Sequence, residues 1–261
     1  MPWPLRRFRR KRIARICLEG PIAGAARTRV LKALLQVEEQ KFPVLLLRID
    51  SPGGTVGDSQ EIHQALMRLR ESGCQVVASY GNISASGGVY VGSAANRVVA
   101  NAGTITGSIG VILRGNNLEK LLKRIGVRFE TVKSGEFKDI LSPDKPLSEA
   151  EREILQALIN SSYGQFVQAV AEGRGLSEES VRAFADGRVF SGAQALELGL
   201  VDLLGDEETA RLEAARLAGL DPKHSRPVTL GRQKQGFFQR LRQQFQLELG
   251  LGGQPLWLYR P

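Results

Sequence analysis

What most restricts this chain is a pair of strand-like runs that both feed into doubled glycines. Val44–Ile49 continues into Asp50-Ser51-Pro52-Gly53-Gly54, and Val76–Tyr80 runs on to Ser86-Gly87-Gly88. Apolar, β-branched-rich runs of this length, separated by helix-patterned segments, predict an α/β fold. The doubled glycines mark places where backbone turns sharply or lies close to another chain. Strands are expected at Ile13–Leu18, Val44–Ile49, Val76–Tyr80, Arg97–Ala100, Ile109–Leu113 and Arg128–Val132. A helix is expected over Asp58–Arg70, opening on an Asp-x-x-Glu box at Asp58 and Glu61. A longer one is expected to start at the capping pair Ser148 and Glu151 and to stop at Gly173. It sets Ile154, Leu155, Leu158, Ile159, Phe166 and Val170 on one core-packing face.

With 261 residues, 42% of them hydrophobic, the chain can bury one substantial core. The division expected is a basic tail over residues 1–13, a globular domain over 14–222 and a basic amphipathic extension over 223–261. The net charge of +9 resides in those ends: residues 1–15 carry seven Arg or Lys and no acid, and residues 223–261 carry seven against Glu248 alone. The body between them is therefore slightly acidic. A basic pI arising from the ends does not argue for a nucleic-acid partner. It fits an anionic membrane surface, or simply solvated ends. Phe237, Phe238, Leu241, Phe245 and Leu249 share one helical face, which is expected to dock on the body or a neighbour rather than on a membrane. No apolar run approaches the ~18 to 20 residues of a transmembrane helix, and no signal-peptide pattern opens the chain. The location expected is cytoplasmic or peripheral to a membrane. Two cysteines, Cys17 and Cys74, show no metal spacing, and neither metal nor cofactor is expected.

The chemistry rests on Ser86 and a lysine. A serine hydroxyl needs a group to take its proton, and the only histidines are His63, on a predicted helix among Ile62, Leu66 and Leu69, and His224 in the basic extension. Both read as incidental, which leaves a lysine base. Ser84 stands where a Gly-x-Ser-x-Gly elbow would need its first glycine, so the α/β-hydrolase arrangement is not supported, and Ser84 itself is a rival nucleophile.

Five ordered segments carry a resemblance. They are Arg48-Ile49-Asp50-Ser51-Pro52-Gly53-Gly54-Thr55-Val56, Ile83-Ser84-Ala85-Ser86-Gly87-Gly88-Val89-Tyr90, Thr106-Gly107-Ser108-Ile109-Gly110-Val111-Ile112, Ser134-Gly135-Glu136-Phe137-Lys138-Asp139-Ile140-Leu141-Ser142-Pro143, and Ala185-Asp186-Gly187-Arg188-Val189-Phe190-Ser191-Gly192. In this order the chain resembles the signal peptide peptidases of the SppA type, serine-lysine proteases of peptidase family S49 with the ClpP/crotonase-like fold. The resemblance runs from about residue 14 to about residue 205.

It implies Ser86 as nucleophile, Lys138 as general base, the amides of Gly54 and Gly87 as oxyanion donors, and Ser108 as the hydroxyl that orients the lysine. It further implies short unfolded peptides, cleaved signal peptides among them, as substrates. A single-copy domain implies a ring-like homo-oligomer in which serine and lysine of one site come from one chain or from two. Ser84 and Val89 depart from the alanine and tyrosine common there. Lys138 would have to be buried to act, because a free lysine with a pKa near 10.4 is charged at neutral pH. The same fold also serves coenzyme A thioester chemistry, which usually brings a carboxylate to the site; Asp58 and Glu61 read instead as capping residues. A non-catalytic ring scaffold would be expected to lack Ser86 or Lys138.

Overall fold

The computed structural model describes residues 12–231 and 256–258. In chain order the elements are β1 (Ile13–Glu19), α1 (Gly24–Glu39), β2 (Val44–Ser51), β3 (Gly53–Thr55), α2 (Val56–Glu71), β4 (Gln75–Ala85), α3 (Gly87–Ser93), β5 (Arg97–Ala100) and β6 (Ile105–Gly107). There follow α4 (Glu119–Arg124), α5 (Glu149–Arg174), α6 (Glu178–Arg182), β7 (Val189–Ser191), α7 (Gly192–Glu197), β8 (Leu203–Leu204), α8 (Glu207–Leu217), β9 (Val228–Thr229) and β10 (Leu256–Leu258).

Eight strands form one sheet with the path β7-β6-β4-β2-β1-β9, and β5 and β8 extend from the first half of β4. All its pairings are parallel except β6 with β7. Central strands buried on both faces read as continuous apolar runs, which is why Val44–Leu47 and Val76–Ala78 lack alternation. One face packs on α1, α2 and α3, with Val30, Leu34, Ile62 and Leu66 fully or nearly fully buried. Ile13, Val44, Leu46, Val77 and Val99 face α8 on the other.

The expected strands at 13–18, 44–49, 76–80 and 97–100 form, the first three longer than expected. Those at Ile109–Leu113 and Arg128–Val132 do not. Ile109 is buried, but its backbone carbonyl accepts from Gly187 and no sheet edge continues beside it. Residues 128–132 are exposed throughout with no neighbouring strand among the described residues, and an apolar run without a ladder partner is not a strand.

The opening of α2 also departs from expectation. Thr55 is the N-cap, its side chain caps nothing, and it donates through its hydroxyl to Asp58 at 2.6 Å. For α5 the reciprocal capping box at Ser148 and Glu151 is present. The helix passes through Gly173 and ends on Gly175 in the left-handed conformation. Gly173 is a contact residue: a Cβ there would lie 2.1 Å from the Ser93 carbonyl oxygen, so its absence lets α5 dock on the end of α3. The face expected to pack along the whole helix does so only in part. Phe166 and Val170 are buried, whereas Ile154 and Leu158 are about half exposed. The extension 223–261 was expected as one amphipathic element; its residues Phe237 to Leu249 lie outside the described residues, as do nearly all of those in the basic tail 1–13.

Candidate active site

Strand β4 delivers Ser86 into a strained corner. Its backbone sits at φ 53°, ψ −117°, a conformation non-glycine residues rarely adopt and one that costs on the order of 1–3 kcal/mol. Surrounding bonds hold it there: its amide donates to the Gly107 carbonyl at 2.8 Å, and its carbonyl accepts from Tyr90 at 3.0 Å to start α3. The helix it starts is buried at all seven residues. The Ser86 hydroxyl is buried and has no hydrogen-bond partner among the described residues. Ser84, the rival, packs its hydroxyl where a Cβ on Gly88 would come within 3.1 Å, on the inner side toward Tyr80. Burial pushes the Tyr80 phenol up to about 12, so that interior stays uncharged.

The two expected oxyanion glycines lie side by side. A Cβ on Gly87 would approach the Gly54 amide nitrogen to 3.2 Å and the Gly53 Cα to 3.3 Å, and would meet the Ser59 hydroxyl at 2.6 Å. Gly87 is the first residue of α3, where the helix has no internal acceptor for its amide. Gly54 is fixed from behind: Ile22 donates to the Gly53 carbonyl at 2.8 Å and accepts from the Thr55 amide at 2.9 Å. Those bonds turn the Gly53 and Thr55 polar groups toward Ile22, and by strand alternation the amide and carbonyl of Gly54 face the opposite edge. Gly53 takes φ 102°, which requires glycine.

Ser108 shares the strain of Ser86, with φ 51° and its amide donating to Arg188 at 2.7 Å. Among the described residues only Lys41, Ser86, Ser108 and Leu141 are non-glycines at positive φ, so two of four are serines singled out from sequence. Lys138 is different. It lies in a one-turn 3₁₀ segment, Glu136–Asp139, and is exposed, against the burial expected of a base. No hydrogen bond or ion pair within the described residues joins its ammonium to Ser86, Ser108 or anything else. Its neighbour Asp139 is the anchor there, accepting from Lys133 at 2.7 Å and Lys145 at 3.0 Å, bonds that hold the carboxyl down at about 2. Thus Ser86, Gly54 and Gly87 come together within one chain, and among the described residues no hydrogen bond or ion pair ties Lys138 to them.

His63 is confined to α2 beside Tyr90, ring centroids 4.9 Å apart, and burial lowers it to about 4. Asp58 and Glu61 are both engaged by Arg27, at 3.2 and 2.8 Å. Among the described residues no group of His, Cys, Asp and Glu is placed to hold a metal ion. Sequence reasoning missed one feature of the site: β10 pairs antiparallel with β3, matching Leu256 to Thr55, Trp257 to Gly54 and Leu258 to Gly53. The available signal was an apolar Leu-Trp-Leu triplet behind Pro255, of the kind expected of substrate.

Comparison with known proteins supplies the context. Residues 68–221 match peptidase family S49, a span holding Ser86, Ser108 and Lys138 but beginning after Gly54. A Synechocystis sp. protein assigned as a protease is 56% identical over the full length of both chains. A protein of Enterococcus faecium assigned as signal peptide peptidase SppA is 35% identical, covering 77% of this chain and 62% of its own. Protease 4 of Salmonella typhi is 38% identical, covering 71% of this chain and 30% of its own.

Proposed function

The chain belongs to peptidase family S49, of ClpP/crotonase-like fold, and is a serine peptidase, a hydrolase; from that premise we propose that it cuts short unfolded apolar peptides with a Ser86–Lys138 dyad. The carrying observation is the Ser86 hydroxyl, held in a strained, buried corner beside two glycine amides with no hydrogen-bond partner among the described residues. In this reading Ser86 Oγ attacks the scissile carbonyl while Lys138 takes its proton and returns it to the leaving amine. Water then releases the acyl group by the reverse assignment. Gly54 and Gly87 stabilise the oxyanion, each such donor contributing ~3 to 4 kcal/mol to the transition state in comparable enzymes. Ser108 orients the lysine.

An exposed lysine is a poor base, so the reading requires a second surface to bury Lys138 and lower its pKa. The exposed apolar side chains in the stretch that carries it, Phe129, Val132 and Phe137, support a homo-oligomer in which one chain's Lys138 serves a neighbour's Ser86. Released signal peptides fit the substrate class, and the name of the Enterococcus faecium relative supports that choice. The peptidase domain is taken as 14–222. No helix among the described residues is long and apolar enough to cross a membrane. The basic ends would hold the enzyme on an anionic membrane surface. The coenzyme A alternative is disfavoured because Asp58 and Glu61 are committed to Arg27 and Thr55.

Fluorophosphonate labelling of the purified chain tests the nucleophile. Labelling that maps to Ser86 and disappears in Ser86→Ala is expected, with circular dichroism unchanged. Undiminished labelling of Ser86→Ala would move the nucleophile to Ser84 or elsewhere.

A further inference from the structure

From the pairing of β10 with β3 we infer that Leu256–Leu258 is a built-in occupant of the substrate strand site, so the chain restrains its own peptide binding. The inference deepens the peptidase reading and rests on it for what the site normally takes. Strand β3 has two edges. Ile22 fills one through Gly53 and Thr55, which leaves the Gly54 amide and carbonyl as the hydrogen-bonding pair on the other. Trp257 is the residue matched to Gly54. Its carbonyl therefore accepts from the amide proposed as oxyanion donor, and its own amide donates back to Gly54. An extended peptide adding itself to this edge would make the same bonds, and only one strand can make them at a time.

The occupant also states what the edge accepts. It is antiparallel to β3, extended, and carries the run Leu256-Trp257-Leu258 with no charged residue. A peptide of that polarity and composition is thus the preferred ligand. Because the segment belongs to the same chain, its competition is intramolecular and does not depend on the protein concentration. A free peptide at micromolar concentration is largely shut out until the segment leaves.

The test uses a fluorescently labelled peptide of residues 253–261 as probe, followed by anisotropy, with every protein in the Ser86→Ala background so that the probe is not consumed. Trp257→Pro in the full chain removes the one strand amide that faces Gly54. The probe should bind Trp257→Pro at least tenfold more tightly than the unmodified background. A chain lacking residues 255–261 should match the proline variant, and circular dichroism should confirm that each is folded, since β10 lies outside the eight-stranded sheet. Equal binding to all three proteins, or binding to none, overturns the inference. A parallel assay in the Ser86-intact chains measures hydrolysis of an unrelated apolar peptide, where Trp257→Pro should lower KM and leave kcat unchanged. No hydrolysis by any of them, together with the anisotropy difference, would overturn the peptidase reading and leave the occupied strand site standing.

Discussion

The two halves of α5 are one continuous helix with one apolar stripe, and they meet opposite fates. From Ser162 to Ala171 the stripe is buried against α3 and the core; Ile154 and Leu158 are about half exposed, and residues 123–138, ahead of the helix, are exposed. In that stretch Phe129 is 56% exposed, Ile125 61% and Val132 102%, whereas the strands β1, β2, β4 and β5 bury their large apolar side chains almost entirely. The same contrast divides the proposed dyad: Ser86 sits on the rigid, buried side, Lys138 on the uncovered one. A stripe that continues past the edge of its own core implies a second surface for the remainder, and the dyad would close where that surface meets it.

The largest effect separates one-chain from two-chain sites. Ser86→Ala and Lys138→Ala should each cost about 10⁴-fold or more in kcat, because residues acting as a unit fail together. Lys138→Ala should change the stability of the isolated chain by no more than about 0.5 kcal/mol, because the residue is exposed and its ammonium makes no hydrogen bond or ion pair among the described residues. Mixing the two inactive proteins after dissociation and reassembly should restore a substantial part of the activity, measured with an apolar peptide substrate. Persistent inactivity of reassembled mixtures would mean that serine and lysine of one site belong to one chain, and the division drawn across α5 would have no catalytic meaning.

Next comes packing along α5 itself. Phe166→Ala should destabilise the fold by about 3–5 kcal/mol, since the ring is fully buried and edge-on to Tyr90 at 5.3 Å. Leu158→Ala should leave the thermal midpoint of dilute protein nearly unchanged and instead shift the concentration at which copies assemble. Analytical ultracentrifugation beside thermal melts distinguishes the two. If Leu158→Ala lowered stability as much as Phe166→Ala at every concentration, the exposed half of the helix would have a partner within the chain.

How far the sequence reaches follows the same boundary. Strands β1, β2, β4 and β5 were legible because each is an apolar run that its own chain buries, so local pattern and tertiary packing agree. Arg128–Val132 has an equally strand-like pattern, but a strand is a pairing and no pairing partner lies among the described residues. Gly173 looked like a helix stop because glycine's commonest role at a helix end is conformational; here it permits the approach of Ser93, a long-range contact with no local signature. Ser86, Gly54, Gly87 and Ser108 were named from motif order. Their positive φ angles and mutual approach are properties of the fold. The seat of Trp257 on Gly54 joins residues some two hundred positions apart, and nothing in either segment announces the other.

A smaller effect probes the buried side by pH. Burial lowers His63 to about 4 from its usual 6.5, so the unfolded chain binds the proton more readily. The stabilisation is therefore complete above pH 6.5 and is lost as pH falls through about 4, amounting to about 3 kcal/mol across that window. Urea titrations of wild type and His63→Leu at pH 7 and pH 4 should show the wild type losing more. Parallel losses would place His63 in contact with solvent and remove the contrast between α2 and the exposed stretch.

The smallest effect concerns the ion pairs that hold the exposed side to α5. Asp139 draws Lys133 and Lys145 together, and Lys145 reaches on to Glu151 at 2.6 Å, tying the lysine-bearing turn to the first turn of α5. Those bonds depress Asp139 to about 2, so their contribution is present above the usual carboxylate range near 4 and disappears as pH falls through about 2. Asp139→Asn should therefore raise hydrogen exchange at residues 133–145 at neutral pH, with the sheet unaffected. Wild type should lose the same protection only as pH falls through about 2. Activity should drop several-fold, well short of Lys138→Ala, because the turn is loosened and the base itself remains. If Asp139→Asn were as inactive as Lys138→Ala with exchange unchanged, Asp139 would belong to the chemistry, and the exposed side would hold more of the active site than the lysine alone.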